Sequence, residues 1–317
     1  MIVVIAALSC ARSHAFTMPN SQPDWLTTFT DAAERNDIAA AVAALDTRKT
    51  AHAGTANASD KRAAARQLVD FLGDQPAELF RWGTTLADQA SPSARELASV
   101  VLVRSYSDRR DDVMSTLRRL AHDDNWEVRE WAAGAAGQVF GEHFDRALPT
   151  LESWSADSSQ HVRRAAAVAT MGAAHGDRPE RCEPLFALLE KLLPDDAEEV
   201  RRNLGPFAIG GAMLRHYPEQ TIARARNWAK SEDEMVRWNT AMVFVAANAK
   251  DHIDDALDIL SGLASDKRRL VWMAVSSALR NIAKRDPDRV VPILRTWLED
   301  DRKLPAALAL RHTTLAD

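Results

Sequence analysis

One spaced motif recurs along this chain: Asp or Ser, then Val five residues later, then Arg in every copy but the last. It reads Asp123/Val128/Arg129, Asp157/Val162/Arg163, Asp195/Val200/Arg201, Ser231/Val236/Arg237 and Asp266/Val271/Trp272. Successive valines stand 34, 38, 36 and 35 residues apart. A self-similar period of this size leaves few folds open, because a pair of helices cannot bury its apolar face alone and must stack on its neighbours. The spacing predicts an all-α chain, an α-solenoid of helical-hairpin repeats. No stretch sustains the period-two alternation of a half-buried strand.

The two helices of a repeat separate by inspection. A first helix carries an apolar stripe closed by tryptophan, as in Leu148/Leu151/Trp154, Ile222/Ala225/Trp228 and Val291/Leu294/Trp297. These three tryptophans are expected in the core. Pro218 and Pro287 each precede their tryptophan by ten residues, which puts proline in a helix's first turn. The second helix follows the Asp motif and is predicted to begin near Trp126, Ser159, Ala197, Asp233 and Lys267. There the Asp is expected to cap the helix and the Arg to bridge to the next repeat's acid.

Upstream, residues 1–20 read as a leader, either unstructured or ahead of a true start at Met18, and residues 21–59 as a short helical segment and linker. The small, polar, aperiodic run from Arg48 to Ser59 reads as a flexible connection. Residues 60–317 are assigned to the repeat array. Two cysteines exclude a disulfide framework, and no window holds the ~18 consecutive apolar residues of a membrane helix. A cytoplasmic, monomeric protein with no membrane association is expected. The formal charge of −5 excludes a basic surplus over the whole surface, so any polyanion site must be a local patch.

The period and the Asp-x-x-x-x-Val-Arg signature resemble HEAT repeats. A narrower likeness runs through His161-Val-Arg-Arg-Ala, Glu199-Val-Arg-Arg-Asn-Leu, Arg215-His-Tyr-Pro218 closing at Trp228, and Ala274 to Pro287 closing at Trp297. That order is similar to the HEAT-like-repeat DNA alkylation repair proteins, a family containing alkylpurine DNA glycosylases. The resemblance implies a concave, DNA-holding row of second helices, an acidic residue that promotes base excision, and aromatic residues near the lesion. Where such glycosylases carry a Ser-Glu-Gly segment this chain has Ala167, Val168 and Ala169, so excision is expected to be weak or absent.

Candidate contacts follow from these readings. Arg164, Arg202 and Arg237 are the candidate phosphate contacts, since a guanidinium fork matches phosphate. The competing reading of the Arg series is an Asp–Arg ladder between repeats. Trp131, Trp238 and Trp272, with Asn239, are candidates for contact with a base, and Trp126 joins the same set of tryptophans at second-helix starts. Glu130 is the candidate catalytic carboxylate. The segment Gly205-Pro206-Phe-Ala-Ile-Gly210-Gly211 falls inside a second helix, where such residues are costly, and implies a kink, a close helix approach or a widened pocket. No cofactor and no metal are expected, because the nine histidines show no ligand spacing and no Gly-rich phosphate loop is present. Two functions therefore compete: binding of duplex DNA, with or without alkylated bases, or a non-enzymatic scaffold that grips a protein or peptide partner.

Overall fold

The computed structural model describes residues 24–73 and 75–310, so the proposed leader lies outside the described residues. Every named element is helical, and the one β-type pairing among the described residues is an isolated bridge between Lys49 and Ala56. Helices run in the order α1 (Trp25–Glu34), α2 (Ile38–Asp46), α3 (Ala58–Leu72), α4 (Pro76–Ala87), α5 (Pro92–Val103), α6 (Arg110–Leu120) and α7 (Trp126–Glu142). They continue through α8 (Phe144–Ser155), α9 (Gln160–Ala173), α10 (Cys182–Leu192) and α11 (Glu198–Asn203). A π-helix, Leu204–Met213, then passes directly into α12 (Leu214–His216). The chain ends with α13 (Pro218–Trp228), α14 (Glu234–Val243), α15 (Ile253–Leu263), α16 (Arg269–Ala283), α17 (Pro287–Trp297) and α18 (Leu304–Leu308). It forms two compact units that divide between Ala136 and Gly137, within α7.

In each unit the repeat is a hairpin of two helices joined by a short turn, and second helices pack on one another: α3 on α5, α9 on α11, and α14 on both the π-helix and α16. Trp126, Gln160, Glu198, Glu234 and Arg269 start the second helices, each within two residues of its predicted place. Val128, Val162, Val200 and Val271 are wholly buried, as the motif's apolar anchor requires, and Val236 is half-buried. Trp82, Trp154, Trp228 and Trp297 close first-helix stripes in the core.

The motif's Asp acts one step earlier than a helix cap. Its Oδ1 accepts from the backbone N–H two residues on, Asp123 from Asn125 at 2.9 Å, Asp157 from Ser159 at 2.8 Å, Asp195 from Ala197 at 3.0 Å and Asp266 from Arg268 at 2.8 Å. The carboxylate thus shapes the turn leading into the helix, because that N–H lies within reach of a short side chain. Arg163 completes the clasp. Its Nη1 donates to Asp157 O and Ser158 O, while Nε and Nη2 fork onto Asp195 of the next repeat at 2.5 and 3.2 Å. Arg95 does the same with Gln89 O, Ala90 O and Asp123.

The run from Arg48 to Ser59 is not a flexible connection. Thr50 N donates to Thr55 O at 2.8 Å, Ala53 and Gly54 take left-handed backbone angles (φ 55° and 66°), and Thr55 and Ala56 are buried. Its polarity misled because the partners of these groups come from distant helices. Ala56 N donates to Ser93 Oγ at 2.9 Å and Asn125 Nδ2 to Ala53 O at 3.1 Å.

Candidate nucleic-acid interface

In the N-terminal unit the second helices α3, α5 and α7 meet around a buried ion cluster. Lys61 is 1% and Glu96 0% exposed, and the ammonium donates to the Glu96 carboxylate. Lys61 Nζ also lies 3.2 Å from Glu127 Oε2 and 4.7 Å from the centre of the Trp131 ring. Burial pushes the Glu96 carboxyl up to about 7 against the pull of Lys61. Burial would raise Glu127 too, but the Thr55 hydroxyl and Lys61 outweigh it and hold that group below the ordinary carboxylate range. The cluster supports Trp131 from beneath, while Arg62 lies 5.8 Å from the same ring.

The outer side of α7 presents Trp126, 48% exposed, with the ring of His52 set edge-on at 5.3 Å. Glu130 follows one turn later, half-exposed and engaged by a neighbouring group. Trp126 is therefore the most open of the second-helix tryptophans. The Lys61–Glu96 pair had a visible trace: Lys61 occupies the apolar spacing of Ala64, Ala65 and Leu68, a position a solvated lysine would avoid.

In the C-terminal unit the candidate residues divide. Arg237 Nε sits 2.6 Å from Asp266 Oδ2, off the N–H axis, as a charge contact of the ladder. Burial alone would raise the Asp266 carboxyl, yet hydrogen bonds from Arg268 and the charges of Arg237 and Arg268 lower it. Arg164 is almost entirely buried, its Nε 3.8 Å from Glu199. Asn239 is wholly buried, with Nδ2 donating to Leu193 O at 2.9 Å and Met235 O at 3.1 Å, so it joins helices instead of facing solvent. Arg202 alone of the three arginines projects, its side chain 71% exposed and paired with Glu198 one turn back. The ladder breaks at Arg201, where the next motif offers Ser231 in place of Asp. Its guanidinium lies instead 5.5 Å from the Trp238 ring. Trp238 and Trp272 are half-buried. Val168, at the position of the expected carboxylate, is half-exposed between the buried Ala167 and Ala169.

The Gly/Pro-rich segment forms the π-helix. An added Cβ at Gly210 would lie 2.3 Å from Val243 O, and one at Gly205 2.7 Å from Asn239 O, so these glycines admit α14 at backbone contact. Phe207, 38% exposed, stands outward from the widened helix; sequence reasoning marked the segment without singling this residue out. Among the described residues no group of three His, Cys, Asp or Glu side chains could hold a metal ion, and no helix is long and apolar enough to cross a membrane.

Stacked hairpins with a repeated Asp–Arg clasp define an all-α HEAT-repeat protein, an α-solenoid by fold class. Residues 82–172 match the HEAT repeat model, and residues 206–314 match that of the DNA alkylation repair enzymes, which the chain resembles. No curated protein matches. Among solved structures, smu.31 from Streptococcus mutans UA159 is 19% identical, covering 82% of this chain and 92% of its own, with a TM-score of 0.31. AlkD2 from Streptococcus mutans is 18% identical (88% and 100% covered, TM-score 0.35), as is YIBA of E. coli (94% and 100%, TM-score 0.40).

Proposed function

We propose that this is a DNA-binding protein of the alkylation-repair type, which holds DNA against its second helices and excises bases weakly or not at all. The observation that carries the reading is the DNA alkylation repair match over residues 206–314. This stretch takes in the π-helix from Pro206 onward, α14 and α16, and Arg202 lies just ahead of it. Arg202 is the outward phosphate contact, because Arg237 and Arg163 are occupied by the ladder. In the C-terminal unit the half-exposed Trp238 and Trp272 supply ring surface for bases, and in the N-terminal unit Trp126 and the half-exposed Trp131 are candidates for the same role. Glu130 is the residue closest to a catalytic role, since it shares a helix face with Trp126. Val168 cannot stabilise the positive charge that develops on the sugar when a glycosidic bond breaks.

Affinity for a short duplex should fall steeply with salt, and Arg202→Glu should lower the log–log slope by about 1. Binding that is undetectable at low ionic strength removes the proposal. The scaffold reading draws on Met273, 44% exposed on α16, an apolar group that a protein partner would cover. Salt-insensitive capture of a peptide, with no DNA bound, would favour it.

A further inference from the structure

From Arg202 to Arg215 the π-helix and its flanking turns show one narrow outward stripe. Leu204, Gly205, Pro206, Ala208, Ile209, Gly210, Ala212, Met213 and Leu214 are all buried, whereas Arg202, Phe207 and Arg215 are exposed and Gly211, with Asn203 beside Arg202, is partly so. The spacings of five, four and four exceed the ~3.6 residues of an α-helical turn, because Phe207 and Gly211 both lie on the wide π-helix. The order along the stripe is cation, aromatic ring, gap, cation.

Each member has a physical peculiarity. A phenylalanine held in water is unfavourable, and the helix that holds it there carries glycine and proline at interior positions where they cost about 1 and 3 kcal/mol. Gly211 has room for a side chain: an added Cβ would make only an ordinary van der Waals contact, with Pro206 O at 3.7 Å. The backbone beneath is fixed, because Asn248 Nδ2 donates to Gly211 O at 2.9 Å. Arg215 makes no ion pair among the described residues, and the partner of Arg202, Glu198, is itself in solvent. An apolar peptide would have no use for two outward guanidinium groups flanking one ring. A nucleotide strand would, because it alternates a planar base with a negative phosphate. Arg202 and Arg215 are roughly 15–20 Å apart at helical rise, the span of a few nucleotides.

Resting on the DNA reading above, we infer that this stripe is a binding site for an unpaired nucleotide, whose base stacks on Phe207 over Gly211 while Arg202 and Arg215 take the flanking phosphates. A paired base cannot reach the ring's face, so the stripe selects single-stranded or extruded bases over intact duplex.

The test is equilibrium binding of a short oligodeoxynucleotide carrying 2-aminopurine, single-stranded and annealed, to the native chain and to Phe207→Ala, Phe207→Leu, Phe207→Trp and Gly211→Met. The native chain should quench the single-stranded probe. Phe207→Ala and Phe207→Leu should weaken single-strand affinity by roughly tenfold, Phe207→Trp should restore it, and duplex affinity should stay within about twofold. Gly211→Met, which has room to fold, should weaken single-strand binding by filling the gap, and thermal melts of all variants should match the native. Single-strand affinity unchanged in Phe207→Ala, or restored by Phe207→Leu, overturns the stacking site while leaving duplex binding standing. A native chain that binds neither probe removes the DNA reading itself.

Discussion

Lys61 is the residue whose placement is hardest to reconcile with stability alone. An ammonium and a carboxylate withdrawn from water each cost several kcal/mol, and Glu96 Oε1 is left without a hydrogen-bond partner. The pair persists because Lys61 also serves Glu127 and the ring of Trp131. Lys61→Ala should therefore destabilise the N-terminal unit by about 3–5 kcal/mol, read by denaturant titration, since it strands two carboxylates. Glu96 fixes a pH dependence. Unfolded, its carboxyl ionises near 4.5; folded, it holds its proton to about 7. Between those values the unfolded chain binds fewer protons, so stability falls as pH rises from about 4.5 to 7. Glu96→Gln should flatten that slope, and an unchanged slope would assign the titration elsewhere. At Glu130 the expectation concerns chemistry. On duplex carrying a cationic methylpurine the native chain should release base slowly or not at all, and robust excision abolished by Glu130→Gln would make that carboxylate the replacement acid.

The ladder predicts that Asp195→Ala, which removes both the turn acceptor for Ala197 and the fork partner of Arg163, costs about 1–3 kcal/mol, measured by thermal melting. The π-helix predicts a larger local effect. Gly210→Ala places a methyl 2.3 Å from Val243 O and must push α14 away, costing about 1–3 kcal/mol or more. The starts of the five second helices from Trp126 onward were legible in the sequence, because Val at a 34–38 residue step, five residues after an Asp or Ser, marks the buried face of each. The clasp was legible only in outline. Asp and Arg announced a ladder, but the two-residue reach of the carboxylate depends on backbone angles that spacing does not encode. The Arg48–Ser59 turn was not legible, since its order comes from Ser93, Asn125 and Glu127, up to 72 residues away.

Across the whole molecule, the candidate site was legible by residue type more than by orientation. Arg164, Arg202 and Arg237 occupy neighbouring places in the motif, yet only Arg202 faces solvent. The others are diverted by acids that the sequence places on adjacent repeats, Glu199 and Asp266. Phe207 escaped notice because an α-helical register counts Pro206, not Phe207, as outward, and only the extra residue of the π turn reverses them. A chain with net charge −5 can still bind DNA if its outward cations sit on one face while its ladder cations are neutralised within the fold. Hydrogen–deuterium exchange with and without saturating DNA tests that face most directly. Slowed exchange across Glu198–His216, α14 and α16, with α10, α13, α15 and α17 unchanged, is the predicted result; protection of those first helices with the second helices unaffected would contradict it.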